Sequence, residues 1–334
     1  MKDQKAIIAQ TERFCANHHH PLPLALSWAE GVWVWDAEGK KYLDCLSSYS
    51  ALNQGHRHPA IIKALVEQAG RLTLTLRAFH NDRLGAFLAK LCRLSGMDMA
   101  LSMNTGAEAV ETVVKAARKW AYKVKGAPED KMGGKAEIIV CNNNFHGRTT
   151  TVAGFSSEAQ YRDGFGPFAP GFKLIDFGGA GQLEAAITPH TAAFLVEPIQ
   201  GEGGIITPPR GYLAEAKRIC AENNVLFALD EIQTGLGRTG KMFCHQHEEG
   251  AQPDILIVGK ALGGGVYPVS AMLSSREVMD VFQPGGHGSA FGGLGKPPFR
   301  VPYPGFPVRR APLGDAKASP ADALLPRNRD MGSY

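Results

Sequence analysis

Two charged residues of opposite sign stand where short apolar runs end. In VLFALDEIQTGLGRTG, residues 225–240, five apolar residues lead into Asp230 and Glu231, and a loop with three glycines follows. In DILIVGKALGGG, residues 254–265, a similar run delivers Lys260, 30 residues after Asp230. A third run, AAFLV, ends at Glu197. In open α/β sheets, ligands bind outside the carboxyl ends of the strands. An amine and carboxylates carried to neighbouring ends can therefore converge on one cleft. An acid after a strand also caps ordinary turns, and for Asp230 alone that reading stays open. Lys260 at a second strand end is what points to chemistry.

A partly desolvated lysine with a lowered pKa is suited to imine chemistry. Pyridoxal phosphate is a cofactor that uses it: it joins a lysine as a Schiff base and needs a carboxylate at its ring nitrogen and a cradle for its phosphate. Asp230 suits the ring nitrogen. The cradle has a candidate in NTGAEA, residues 104–109, a glycine-containing turn opening a helix. Free backbone N–H groups and the positive helix end favour a phosphate there. Thr105 followed by Glu108 is also a capping box, so an ordinary capped helix remains the other reading.

The elements that must position these groups follow an α/β rhythm. The segments 137–141, 172–177, 192–199, 225–230, 254–259 and 269–274 read as strands. Most are continuously apolar, as expected of strands covered on both faces in a parallel sheet. Helical stretches lie between them, at 211–224 and, at turn length, at 276–282. The clearest helix is expected over 106–124, with Val110, Val113, Val114, Ala117, Ala121 and Val124 on one face. Together these predict a doubly wound α/β domain with a mostly parallel sheet. In GVWVWDAEGKKYLDC, residues 31–45, two strand-like runs flank an Asp-x-x-Gly turn and predict a β-hairpin. The expected organisation is an N-terminal part of a small domain over 1–50, a large domain over 51–293, and an atypical tail over 294–334. That tail holds eight prolines in 41 residues and is expected to be disordered.

The bulk numbers narrow the partners. The chain has 334 residues, 44% hydrophobic and 20% charged, with a formal charge of +4. That suits a globular protein and shows no basic stripe for nucleic acid. No run of 18 apolar residues predicts a membrane span, and no leader segment is evident. The six cysteines are scattered, which fits free thiols in a reducing cytoplasm. CHQH, residues 244–247, has ligand-type side chains but no partner cluster, so no metal is expected. HHH at 18–20 reads as an exposed loop.

The motifs MNTGAEAVE, NNNFHGRT, VEPIQGEGG, LDEIQTGLGRTGK and VGKALGGGVYPVSAM stand in this order along the chain. Together they resemble the class III, fold-type I pyridoxal-phosphate aminotransferases over about residues 20–293. YLDCLSSYSALNQGHRHP (42–59) and DGFGPFAPGF (163–172) resemble the ornithine aminotransferase subgroup in particular. The resemblance implies roles residue by residue. Lys260 would hold the cofactor and shuttle a proton, and Asp230 would pair with the ring nitrogen. Gln233 would bond the ring hydroxyl. Thr105, Gly106 and Ala107 would cradle the phosphate, and Phe145 would stack on the ring; read from the residues alone, Phe145 is equally a core aromatic. Arg148 would grip a substrate carboxylate, a task its fork geometry suits, although an arginine there is otherwise an ordinary surface residue. Tyr49 would hold the ornithine carboxylate. Glu202 would face the site and pair with an arginine of a C-terminal domain.

The sequence departs from the family at several points. His80 stands where the subgroup usually has tyrosine, on a wall of the substrate pocket. Ala290 replaces a threonine expected to reach a neighbouring subunit's phosphate, and Ser289 beside it offers a substitute. After Gly293 the family continues into a C-terminal domain of roughly a hundred residues, which the tail does not resemble. The implied activity moves the δ-amino group of ornithine to 2-oxoglutarate in a cytoplasmic homodimer. Acetylornithine, 4-aminobutyrate and putrescine aminotransferases are the near alternatives, and a weakly active or non-catalytic homologue is the reading that the tail leaves open.

Overall fold

Alternate residues of the central strands serve two different cores, which explains why their sequences run apolar without a break. Leu226 and Ala228 face one core while Phe227 and Leu229 face the other, and Ile255 and Ile257 are likewise divided from Leu256 and Val258. The period of two along a strand makes this split automatic, and it requires cover on both faces of the sheet.

The computed structural model of the chain describes residues 3–73, 75, 79–128 and 135–288. They fall within one unit, Met1–Lys296. Ten strands are present among the described residues: β1 (Leu26–Glu30), β2 (Trp33–Asp36), β3 (Lys41–Leu43), β4 (Met99–Met103), β5 (Glu137–Cys141), β6 (Phe172–Ile175), β7 (Thr191–Val196), β8 (Leu226–Asp230), β9 (Ile255–Val258) and β10 (Ser270–Ser274). The main sheet has seven strands in the order β4-β10-β9-β8-β7-β5-β6. Strands β5 to β9 pair in parallel, and β10 runs antiparallel to both β4 and β9. The predicted mostly parallel α/β sheet is therefore observed, and each of the six strands expected from the sequence is found with its ends within three residues. β4 is not among the strands expected from the sequence, because MALSM is short and holds no β-branched residue.

The expected hairpin is part of a three-stranded antiparallel sheet, β1-β2-β3. Its turn is organised by Asp36, whose Oδ1 accepts from the Glu38 and Lys40 amides at 3.0 and 2.9 Å. Gly39 takes φ +91° there, a conformation that favours glycine.

Helix α1 (Gln4–Phe14) precedes this small sheet, and α2 (Pro59–Ala69) and α3 (Leu84–Ser95) follow it. Helix α4 (Gly106–Trp120) covers one face of the main sheet and α5 (Tyr212–Glu222) the other. The capping box of α4 is formed: Thr105 Oγ1 accepts from the Glu108 amide, and Glu108 Oε2 accepts from the Thr105 amide at 2.9 Å. The α-helix stops at Trp120, not at residue 124, and a π-turn occupies Ala121–Lys125. The wider turn rotates the last residues, so Ala121 stays buried while Val124 is exposed.

Candidate active site

Four strand ends meet at the carboxyl edge of the main sheet. β8 ends at Asp230, β9 leads through Gly259 to Lys260, β7 leads to Glu197, and β5 leads to the loop of Phe145 and His146. The first turn of α4 joins them from β4. These elements line one cleft of about 210 Å³, walled by Gly106, Ala107, Phe145, His146, Gly147, Glu197, Glu202, Asp230, Ile232, Gln233 and Lys260 among others.

The two acids of LDEIQ answer to opposite faces of the sheet. Asp230 falls on the α4 face and turns into the cleft. Glu231 points the other way and is fully buried. Its Oε1 accepts from the amide and from Nδ1 of His245, at 2.9 and 2.7 Å, and its Oε2 accepts from the Cys244 amide. CHQH is thus the anchor of Glu231.

Asp230 is held from two sides. Its Oδ1 accepts from the Ile232 amide at 3.0 Å and its Oδ2 accepts from His146 Nδ1 at 2.7 Å. Burial pulls the His146 imidazole down, but the hydrogen bond to Asp230 and the charges of Asp230 and Glu197 outweigh it and leave the group raised. His146 Nε2 is buried with no partner. His146 stands within NNNFHGRT, and the motif alone assigns it no role. Its signal is a polar ring between an aromatic and a glycine, in a loop that follows the buried strand β5.

Lys260 opens a short 3-10 turn in the left-handed region, at φ +44°. For a non-glycine residue this is a strained conformation. Burial lowers its amine, against the opposing charges of Glu202, Asp230 and Glu197. A buried amine that sheds its proton readily is a competent nucleophile.

The walls also fit a flat, phosphorylated ring. Gly147 has φ +121°, and a Cβ there would sit 2.9 Å from Ala107 Cβ, so the loop packs directly on the first turn of α4. A Cβ on Gly106 would sit 2.8 Å from Ile232 Cδ1. The amides of Gly106 and Ala107 lie in the first turn, where no carbonyl of the helix reaches them. The Thr105 amide is taken by Glu108. A nucleophilic lysine, a pinned carboxylate and a helix start without side-chain bulk are together the donor set that pyridoxal phosphate requires.

The remaining expected residues are distributed as follows. Gln233 lines the cleft, and its Nε2 donates to Glu202 Oε1 at 3.2 Å and to the Tyr49 carbonyl at 3.5 Å. Tyr49 itself is half exposed within a left-handed turn, Ser47–Ser50. Arg148 is exposed and rests on Tyr161, 4.4 Å from its ring centroid, with Nη2 donating to the Tyr161 hydroxyl. His80 is exposed and is not among the lining residues. Ser289, Ala290 and the tail 294–334 lie outside the described residues.

Known proteins match this architecture. The model of the family described as aminotransferase class-III matches residues 14–295. The ornithine aminotransferase of Brevibacillus brevis is 55% identical over 340 residues, spanning 100% of this chain and 80% of that one. The ornithine aminotransferase of Bacillus subtilis is 58% identical over 88% of this chain and 72% of its own length. Among solved structures, the ornithine aminotransferase of Toxoplasma gondii superposes with a TM-score of 0.84 at 48% identity, covering 87% of this chain and 68% of that one. The acetylornithine aminotransferase of Elizabethkingia anophelis does so with 0.78 at 53% identity, covering 88% and 71%. With its strand-end lysine and acid in one cleft and the family's pattern running through almost the whole described chain, this protein belongs to the class-III aminotransferases, enzymes that use pyridoxal 5'-phosphate.

Proposed function

We propose that the chain transfers the δ-amino group of ornithine to 2-oxoglutarate, giving glutamate 5-semialdehyde and glutamate. The observation that carries this reading is the identity of 55–59% to ornithine aminotransferases. The cleft holding Asp230 and Lys260 agrees with it. When bound, the cofactor supplies an aldehyde that exchanges amino groups and a ring that withdraws electrons.

The chain's own groups do the rest. Lys260 Nζ holds the cofactor and takes and returns the substrate's proton. Asp230 keeps the ring nitrogen protonated, and His146 holds Asp230 in place. The amides of Gly106 and Ala107, with Thr105, would receive the phosphate. Phe145 would cover the ring and Gln233 would donate to its hydroxyl. Tyr49 and Arg148 border the substrate, and Glu202 faces the site. For Arg148 this role requires the guanidinium to leave Tyr161 and swing toward the cleft.

The assembly in this reading is a homodimer in the cytoplasm. Apolar surface supports it: Trp28, Val32, Trp33 and Leu43 of the small sheet are all exposed, and such patches mark contact sites. Among the described residues no helix is long and apolar enough to cross a membrane.

The test is turnover of the full chain with pyridoxal phosphate and 2-oxoglutarate, comparing ornithine, N-acetylornithine and 4-aminobutyrate as donors. Glutamate formation with ornithine at least tenfold above the others is expected. Preference for N-acetylornithine would overturn the substrate assignment.

A further inference from the structure

Glu197 is buried, at 7% exposure, just past the end of β7. No lysine or arginine pairs with it among the described residues. Its partners are two amides: Oε1 accepts from Phe145 at 2.8 Å, and Oε2 accepts from Gly201 at 3.3 Å. These amides belong to different loops. One follows β5 and carries Phe145 and His146, and the other follows β7 and carries Glu202. Both loops wall the cleft.

We propose that Glu197 is a positioning residue whose carboxylate ties the Phe145 loop to the Gly201–Glu202 loop, and so sets the width of the cleft above Asp230. The proposal rests on the reading of that cleft as the pyridoxal phosphate site.

The chemistry of the side chain suits the task. A carboxylate accepts at both oxygens, whereas a carboxamide accepts at one and would set its own N–H groups against the Gly201 amide. The loops have a second tie, where Gln200 Nε2 donates to the Asn142 carbonyl at 2.6 Å. Loss of Glu197 therefore loosens the cleft locally and leaves the loops joined. Gly201 is also packed tightly on Gln233, since a Cβ at position 201 would collide with the Gln233 side-chain oxygen. Releasing the Gly201 amide thus frees the rim residues Glu202 and Gln233 together.

The tie is sensitive to protons. His146 from the β5 loop, Asp230 at the end of β8 and Lys260 beyond β9 are the charged groups that act on Glu197. Burial pushes its carboxyl up to about 7, with His146 opposing and Asp230 adding. Once protonated, Glu197 resembles glutamine and accepts at one oxygen.

The experiment is titration of the full-length apoprotein with pyridoxal phosphate at pH 6 and pH 8, read by tryptophan fluorescence and visible absorption. Wild type, Glu197→Gln and Glu197→Ala are compared, with the melting temperature of each apoprotein as a control. Glu197→Gln is expected to bind about tenfold more weakly than wild type at pH 8, the size of one charge-assisted hydrogen bond. At pH 6 the two are expected to converge. Glu197→Ala loses both ties and is expected to bind more weakly at both values; if it fails to fold, the glutamine variant carries the test. A Glu197→Gln variant that binds like wild type at pH 8, or is weaker by the same factor at both pH values, overturns the proposal. A wild type that does not bind pyridoxal phosphate overturns the reading of the cleft, and this proposal with it.

Discussion

His146 Nδ1 donates to Asp230 Oδ2 across 2.7 Å, with the two side chains 0% and 4% exposed. The contact joins the loop after β5 to the end of β8, so the floor of the cleft is fixed by a buried ion pair and not by main chain alone. A hydrogen bond to a charged group in such surroundings contributes more than a neutral one.

The pair gives a signed pH dependence. The folded state raises the His146 pKa above its ordinary value of 6.5. Its contribution is therefore fully present below 6.5 and is lost as pH rises through the raised folded value. His146→Phe should lower stability by about 2–3 kcal/mol at pH 6, and the penalty should shrink in alkali. Melting curves of both proteins across pH 6 to 9 check this. A penalty that grows with pH would contradict it.

Lys260→Ala should abolish turnover and the visible band of the covalently held cofactor, while the apoprotein still folds. For the wild type, the lowered Lys260 amine predicts that capture of pyridoxal phosphate has its midpoint below the ordinary lysine value of 10.5. Capture rates against pH decide it. Persistence of the band in Lys260→Ala would remove the lysine assignment.

Adjacent acids should give opposite phenotypes. Asp230→Asn should cut turnover roughly a hundredfold or more, because a neutral amide cannot hold the ring nitrogen protonated, with a change in melting temperature of a few degrees at most. Glu231→Ala should cost about 3 kcal/mol of stability, since it leaves the amides of Cys244 and His245 without an acceptor in the interior. Its turnover per folded molecule should stay within about threefold, as the side chain faces away from the cleft. Denaturant titration and kinetics on both variants separate the two roles.

Gly201→Ala should disturb binding more than folding. The added methyl meets the far end of the flexible Gln233 side chain, which can swing aside at a cost of about 1 kcal/mol. Doing so breaks its bonds to Glu202 and Tyr49. A cofactor dissociation constant raised about tenfold with an almost unchanged melting temperature is expected. A large loss of stability instead would mean that the rim is rigid.

Much of the site was legible because strand ends are written locally. Four or five apolar residues followed by an acid, or by Gly-Lys, mark both the strand and its end, and the parallel arrangement follows from strands apolar on both faces. The Thr105–Glu108 cap was equally local. The short strand β4, the end of α4 at Trp120 and the burial of His146 were not legible, because each depends on what packs against it. Tyr49 and Arg148 lie along motifs that the sequence displays openly, yet their side chains are exposed, and linear order carries no information on where an exposed side chain rests.

The sequence by itself determined the alternation of strand and helix, the capped turn at Thr105, and which residues end the strands as acid or amine. Period and punctuation along the chain suffice for that. Only the tertiary structure decided that Asp230 faces the cleft while Glu231 faces His245, that His146 grips Asp230, and that Glu197 joins two loops. Those outcomes rest on contacts between residues 52 to 84 positions apart in the case of Glu197 with Phe145 and His146 with Asp230. Such contacts form when separate strands come into register within a single sheet, and no local pattern in the chain encodes them.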